Sequence, residues 1–247
     1  MNISERELLA MTRDMDEMHH DTLPRMHEAA SAWAEEIGAV RPTRRGFLIG
    51  AGAALGAVAL AACGGDDKKK AVSGGTSNLS GDLAVAALAA GLENLAVATY
   101  QAGLDAATAG KLGAVPGAVA TFAKTAQSHH RDHAAAWNGI LTSAGKAKVT
   151  GVDLTVKSAV VDPGFANVKN VVDLAKFALG LEDVAAATYL NGIQNALTSK
   201  GAIQTAISIQ PVEMQHSAIL NFVLGQEPVP AAFATTQGAR PPTDKLG

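Results

Sequence analysis

The sequence predicts an all-α fold, a four-helix bundle made of two helix hairpins that repeat one another and are joined by a long crossover. Three observations predict it. Of 247 residues, 48% are apolar but only 4% aromatic; abundant Ala and Gly favour closely packed helices over strands, which draw on Val, Ile, Tyr and Phe. Leu92–Leu104 aligns with Leu181–Ile193 at seven identical positions of thirteen, including Glu, Thr, Tyr and Gly. Finally, His130-Arg131-Asp132-His133 and Glu213-Met214-Gln215-His216 share an i, i+3 spacing, and each is followed five residues later by Asn, at Asn138 and Asn221. A unit of helix and helix is used twice.

Residues 1–62 read as a leader, with an n-region at 1–45 and an apolar run at 46–62. Residues 1–40 are helix-prone and polar, and hold five of the six Met. Either Met26 is the true start, or this is a cytoplasmic segment read by an export chaperone. Glu17-Met18-His19-His20 has a Glu-x-x-His spacing, but on a segment expected to be solvated and without a partner helix. The 17 residues from Gly46 to Ala62 fall short of the roughly 20 that cross a bilayer core. They follow Arg44-Arg45 and end at Leu60-Ala61-Ala62-Cys63, the order of basic region, apolar stretch and small-residue cleavage site found in secretory signals. Arg44-Arg45-Gly46-Phe47-Leu48 resembles a twin-arginine signal, and Leu60–Cys63 resembles a bacterial lipobox. These resemblances imply passage through the twin-arginine export machinery, cleavage before Cys63 and lipid on its sulfur. The protein would then reside on the outer face of the cell membrane or in the periplasm, held to the membrane through Cys63. One Cys in the chain excludes an intramolecular disulfide framework or a thiolate metal cage. A net charge of −3 gives no electrostatic case for nucleic acid.

Residues 63–80, rich in Gly, Ser, Asp and Lys, form a flexible tether. The bundle occupies 81–225. Its first helix is expected over Asp82–Ala107, capped by Ser80, and its second over Gly117–Ser143. The third is expected over Val168–Ser199 and the fourth over Ala202–Leu224, with Pro211 marking a kink or a later start. A long connection, Ala144–Asn167, separates the hairpins. Residues 226–247, with four Pro, wrap the surface in extended form.

Glu93 shares its helix face with Ala89, Ala90, Ala96, Val97 and Tyr100, and Glu182 with Ala178, Leu179, Ala185, Ala186 and Tyr189. A carboxylate in an apolar stripe costs several kcal/mol unless it is paired or holds a cation, and the chain repeats this in both halves. After Cys63 there are four Glu, three of them Glu93, Glu182 and Glu213, and four His, namely His129, His130, His133 and His216. Three inward carboxylates and three inward imidazoles on four facing helices make an oxygen and nitrogen ligand set suited to iron or manganese, with zinc open. Tyr100, Tyr189 and Trp137 read as packing residues. His129 and Asp132 fall off the inward face and read as solvated, with His129 a candidate donor to a ligand.

The phrase Ala178-Leu-Gly-Leu-Glu-Asp-Val-Ala-Ala-Ala-Thr-Tyr189 and the Glu-x-x-His of the last helix resemble the secreted ferritin-like domain family of bacteria, over roughly Leu83 to Phe233. The resemblance implies a ferritin-like bundle in which the first and third helices each give a Glu and the second and fourth each give Glu-x-x-His. It carries a ligand role to Glu93, Glu182, Glu213, His216 and His133. His130 departs from it, standing where the family has a Glu that bridges two ions. An imidazole does not bridge as a carboxylate does, so one ion, two ions or none stay open. The activity implied is metal binding, with ferroxidase- or peroxide-type chemistry if the ion is redox-active. The alternatives are a metal carrier without catalysis and a metal-free bundle serving as envelope scaffold or stress-protection protein. A homo-oligomer stays open, but a lipidated tether argues against a closed storage shell.

Overall fold

The structure is a computed structural model that describes residues 4–36 and 79–241. Arg44, Arg45, the apolar run, Cys63 and the tether up to residue 78 lie outside the described residues, as does the end of the tail. The helices are α1 (Glu5–Glu36), α2 (Asp82–Thr108), α3 (Gly117–Ser143), α4 (Leu154–Val156), α5 (Asp162–Ala166), α6 (Val171–Asn195) and α7 (Lys200–Val223), with a π turn at Lys157–Val161 between α4 and α5. Among the described residues there is no strand. The hairpins α2–α3 and α6–α7 form the four-helix bundle, and the crossover carries α4 and α5.

Local chemistry sets the ends. Gly81, with φ 57°, and not Ser80, occupies the cap position of α2; this left-handed backbone suits glycine. The Asp82 carboxylate then accepts from the backbone N–H of Thr198 (2.9 Å) and Ser199 (2.7 Å), joining the start of α2 to the start of α7. α6 begins at Val171, later than expected, because the Asn170 side chain accepts from the N–H of both Val172 and Asp173 at 2.9 Å. It ends at Asn195, since Ser199 turns to cap α7 by accepting from Ala202 N–H. α7 continues through Pro211.

The repeated Asn residues do one job twice. Asn138 donates to the Val149 carbonyl (2.9 Å) and accepts from the Val149 N–H (2.7 Å), pinning the chain that leaves the first hairpin. Asn221 donates to the Pro228 carbonyl (3.3 Å) after the second. The tail reaches Arg240, whose N–H bonds Thr188 Oγ1 and whose guanidinium pairs with buried Asp153 at 3.2 Å.

Two apolar clusters fill the bundle, one around Trp137, Ile140 and Ile209, the other around Phe122, Ile219 and Val223. Both contain residues of α1: Met26 and Trp33 in the first, Leu8 and Met15 in the second. The expectation of a solvated segment at residues 1–40 is thus corrected over α1, which packs along α3 and α7 as a fifth helix. Leu8, Thr12, Met15, His19, Met26, Ala30 and Trp33 are buried, a spacing of three, four or seven that places them on one face. Glu5 with Ala118, Asp16 with His129 and His19 with Asp132 are each separated by 113 residues, so α1 runs parallel to α3 in a fixed register. It is antiparallel to α7, with Met18 beside Gln215 and Trp33 beside Gly201.

Candidate metal centre

The polar layer lies between the two apolar clusters, and each bundle helix supplies it from one face. Glu93 of α2, His130 and His133 of α3, Glu182 of α6, and Glu213 and His216 of α7 are all at most 4% exposed. The i, i+3 spacing on α3 and α7 puts both members of each pair on the same side of the helix. His130/His133 is the register that faces inward, because Gln127 turns away to donate to the Val97 carbonyl and Gln101.

His130 is central. Its Nδ1 lies 2.7 Å from Glu93 Oε2 and its Nε2 lies 3.2 Å from Glu182 Oε1, so the ring spans the two halves. His216 Nδ1 sits 3.2 Å from Glu213 Oε2 and 3.3 Å from Glu182 Oε2. His133 Nδ1 is 3.0 Å from Glu213 Oε1 and 3.6 Å from Glu93 Oε2. Neither His133 Nδ1 nor Glu213 Oε1 has a hydrogen-bond partner, although both are buried. Close approach without hydrogen-bond alignment is what atoms aimed at a shared central point show, and buried groups left this way favour a cation.

Two four-ligand groups emerge, in each of which the ligand atoms lie within 4.8 Å of one another: Glu93, His130, His133 and Glu213, and His130, Glu182, Glu213 and His216. They share His130 and Glu213, so all six residues singled out in the sequence stand in one cluster. The donor set of carboxylate oxygen and imidazole nitrogen fits iron or manganese. Burial raises the carboxyl of Glu93, but His133 and His130 more than offset this and hold it at about 2. Glu182 is held well below its ordinary range in the same way by His130 and His216. Burial lowers the imidazoles, yet Glu93 and Glu213 bring His133 up to about 9. Glu213 and Glu182 raise His130 well above its ordinary value, and Glu182 raises His216.

The tyrosines are more than packing. Tyr100 on α2 donates to Glu182 on α6 at 2.5 Å, and Tyr189 on α6 donates to Glu93 on α2. Trp137 Nε1–H donates in turn to Tyr189 Oη at 2.8 Å. Each carboxylate is oriented by the tyrosine of the opposite hairpin, so the repeat is reciprocal at its centre.

A family model for the ferritin-like domain matches residues 81–226. The chain belongs to the ferritin-like domain family. Neither a curated protein nor a solved structure matches it. In this ferritin-like bundle two apolar cavities flank His130 between α2 and α6. One of about 90 Å³ is lined by Tyr100, Phe122, Leu181 and Glu182, and one of about 80 Å³ by Leu92, Glu93, Trp137 and Tyr189.

Sequence reasoning missed the outer layer on the opposite side. His129 is 1% exposed, not solvated, with Nδ1 3.1 Å from His216 Nε2 and Nε2 3.0 Å from Asp16 Oδ1. Burial, then the neighbouring His216 and His19, drive its imidazole far below the ordinary value. His19, fully buried, packs against His129 with ring centres 3.9 Å apart and planes tilted by 33°, and bonds Asp132 at 3.3 Å. Asp132 stays partly exposed, its side chain 39% accessible. The seven-residue apolar spacing from Leu8 to Met15 and from Met26 to Trp33 was the signal that residues 5–36 have a partner.

Proposed function

We propose that this is an exported, lipid-anchored ferritin-like protein that binds iron or manganese in the bundle core. The carrying observation is the pair of overlapping four-ligand groups that share His130 and Glu213. Glu93, His133 and Glu213 would serve one position, and Glu182, His216 and Glu213 the other, and neutral His130, with its single lone-pair nitrogen, would complete one of the two. Export and lipidation rest on the Arg44-Arg45 and Leu60-Ala61-Ala62-Cys63 motifs. A twin-arginine route transports folded proteins, so metal would be loaded before export.

When bound, the ion would supply redox chemistry with dioxygen or peroxide, three carboxylates favouring its higher oxidation state. The chain's own residues would govern access and orientation. The cavities beside His130 admit small apolar molecules such as dioxygen. Tyr100 and Tyr189 hold the carboxylates in place and keep a proton beside each, since burial and then Glu182 or Glu93 raise both phenols well above their ordinary value.

The second reading is a metal-free bundle serving as envelope scaffold or stress-protection protein. It is favoured by one observation: three imidazoles already pair with three carboxylates in the core, His130 with Glu93, His133 with Glu213 and His216 with Glu182. Elemental mass spectrometry on the full chain after loading with iron or manganese separates the two. The expected result is at least one ion per chain, lost in Glu93→Ala/Glu182→Ala; less than about a tenth of an equivalent selects the scaffold. Oxygen uptake on adding Fe(II), above that of the double variant, then separates an oxidase from a carrier.

A further inference from the structure

We propose that the leader helix α1 is a working part of the metal centre, with Asp16 and His19 positioning its ligands and closing it on the α3–α7 side. The proposal rests on the metal-binding reading above, and it follows from the order of hydrogen bonds. His216 presents Nδ1 to Glu182 and Glu213, where the ion would sit. With an ion on Nδ1, the ring hydrogen is on Nε2 and must be donated; the atom in reach is His129 Nδ1, at 3.1 Å. His129 then carries its hydrogen on Nε2 and gives it to Asp16 Oδ1, at 3.0 Å. A carboxylate on α1 therefore fixes the tautomer of a ligand on α7 through one imidazole. His19, bonded to Asp132, packs against His129 with the ring planes tilted by 33°, and so confines that imidazole and covers the layer above it.

Features of the bundle itself accommodate α1. Gly201 at the start of α7 lies so close to it that a Cβ there would meet Trp33 Cβ at 2.2 Å and the Ala29 carbonyl oxygen at 2.7 Å. His129 has a polar partner on α1 and would face solvent or an empty groove without it. The repeat that pairs His133 with His216 pairs His129 with Val212, so only the α3 side carries the imidazole that meets Asp16. Cleavage before Cys63 would separate α1 from the bundle covalently. The centre of the unprocessed chain would thus be complete and closed, and the centre of the processed chain open on one side. The ion would be held best before export and exchange more readily after it.

The test uses the full chain loaded with manganese. Asp16→Asn keeps the shape of a side chain that is 43% accessible but replaces a carboxylate, which only accepts, with a neutral amide that also donates, and so no longer fixes the His129 tautomer. Asp16→Glu retains the acceptor. Gly201→Val displaces α1 at Trp33 without touching a ligand. The expected result is manganese release to a chelator about 10–100-fold faster in Asp16→Asn and Gly201→Val, and within a few-fold of the parent in Asp16→Glu. Nitrogen-15 shifts of His129 should show a changed tautomer in Asp16→Asn, a readout that a merely structural role would leave alone. Parent-like release with an unchanged His129 tautomer would overturn the proposal. Should the parent bind no manganese, the metal-binding reading fails separately, and an unchanged His129 tautomer in the metal-free Asp16→Asn chain would still overturn the relay.

Discussion

Glu93 and His133 titrate from opposite sides and together bound the stability of the metal-free protein. Glu93 is held at about 2 against an ordinary 4.5, so its contribution is full above 4.5 and is lost as pH falls toward 2. His133 is raised to about 9 from an ordinary 6.5, so its contribution is full below 6.5 and is lost as pH rises toward 9. Denaturant midpoints of the chelated protein should therefore peak between pH 4.5 and 6.5 and fall on both sides. Metal affinity should run the other way over the upper range, rising with pH as the imidazoles give up their protons; calorimetric titration from about pH 6 to 9 would show it, and a flat profile would remove His133 from the ligands. His130→Glu should restore a bridging carboxylate and bring metal stoichiometry to two. An unchanged stoichiometry would mean that His130 does not limit the site. The six inward residues were legible in the sequence because a carboxylate set in an apolar stripe, and set there twice, needs a partner or a cation to survive burial. His129 was not legible, because its partner lies on a helix more than a hundred residues away.

At the level of elements, the two hairpins and their crossover could be read from the repeat, and the starts of α2 and α3 agree with expectation. The ends that differ have polar causes. Asn170 takes two backbone donors and delays α6, while Asp82 holds Thr198 and Ser199 and separates α6 from α7. α1 escaped because Thr12 and His19 occupy inward positions and interrupt its apolar seam, leaving a helix that reads as solvated. Asn138 should prove a structural residue: Asn138→Ala strands the buried N–H of Val149 and leaves its carbonyl with the Asn94 amide alone, for a loss of roughly 1–3 kcal/mol in chemical unfolding. Asn138→Asp, which keeps the acceptor but loses the donor, should fall between the two.

For the whole molecule, the address lies outside the described residues and has to be tested in cells. Arg44→Lys/Arg45→Lys should leave the protein in the cytoplasm with its leader intact, and Cys63→Ser should abolish labelling by a radioactive fatty acid while export persists. Labelling that survives Cys63→Ser would refute the anchor. The fold has a balance of its own: α2, long and apolar enough by composition to cross a membrane, is instead one wall of a charged layer, tolerable only because α3 brings His130 and His133 to Glu93 and α6 brings Tyr189. The bonds from Tyr100 to Glu182 and from Tyr189 to Glu93 go one step further. Neither hairpin can complete its own carboxylate, so each is an unfinished half until it meets the other. Separated at the crossover, the halves should recognise each other through that mutual lack, and a single ancestral hairpin with this motif would have had to work as a twofold pair of identical chains.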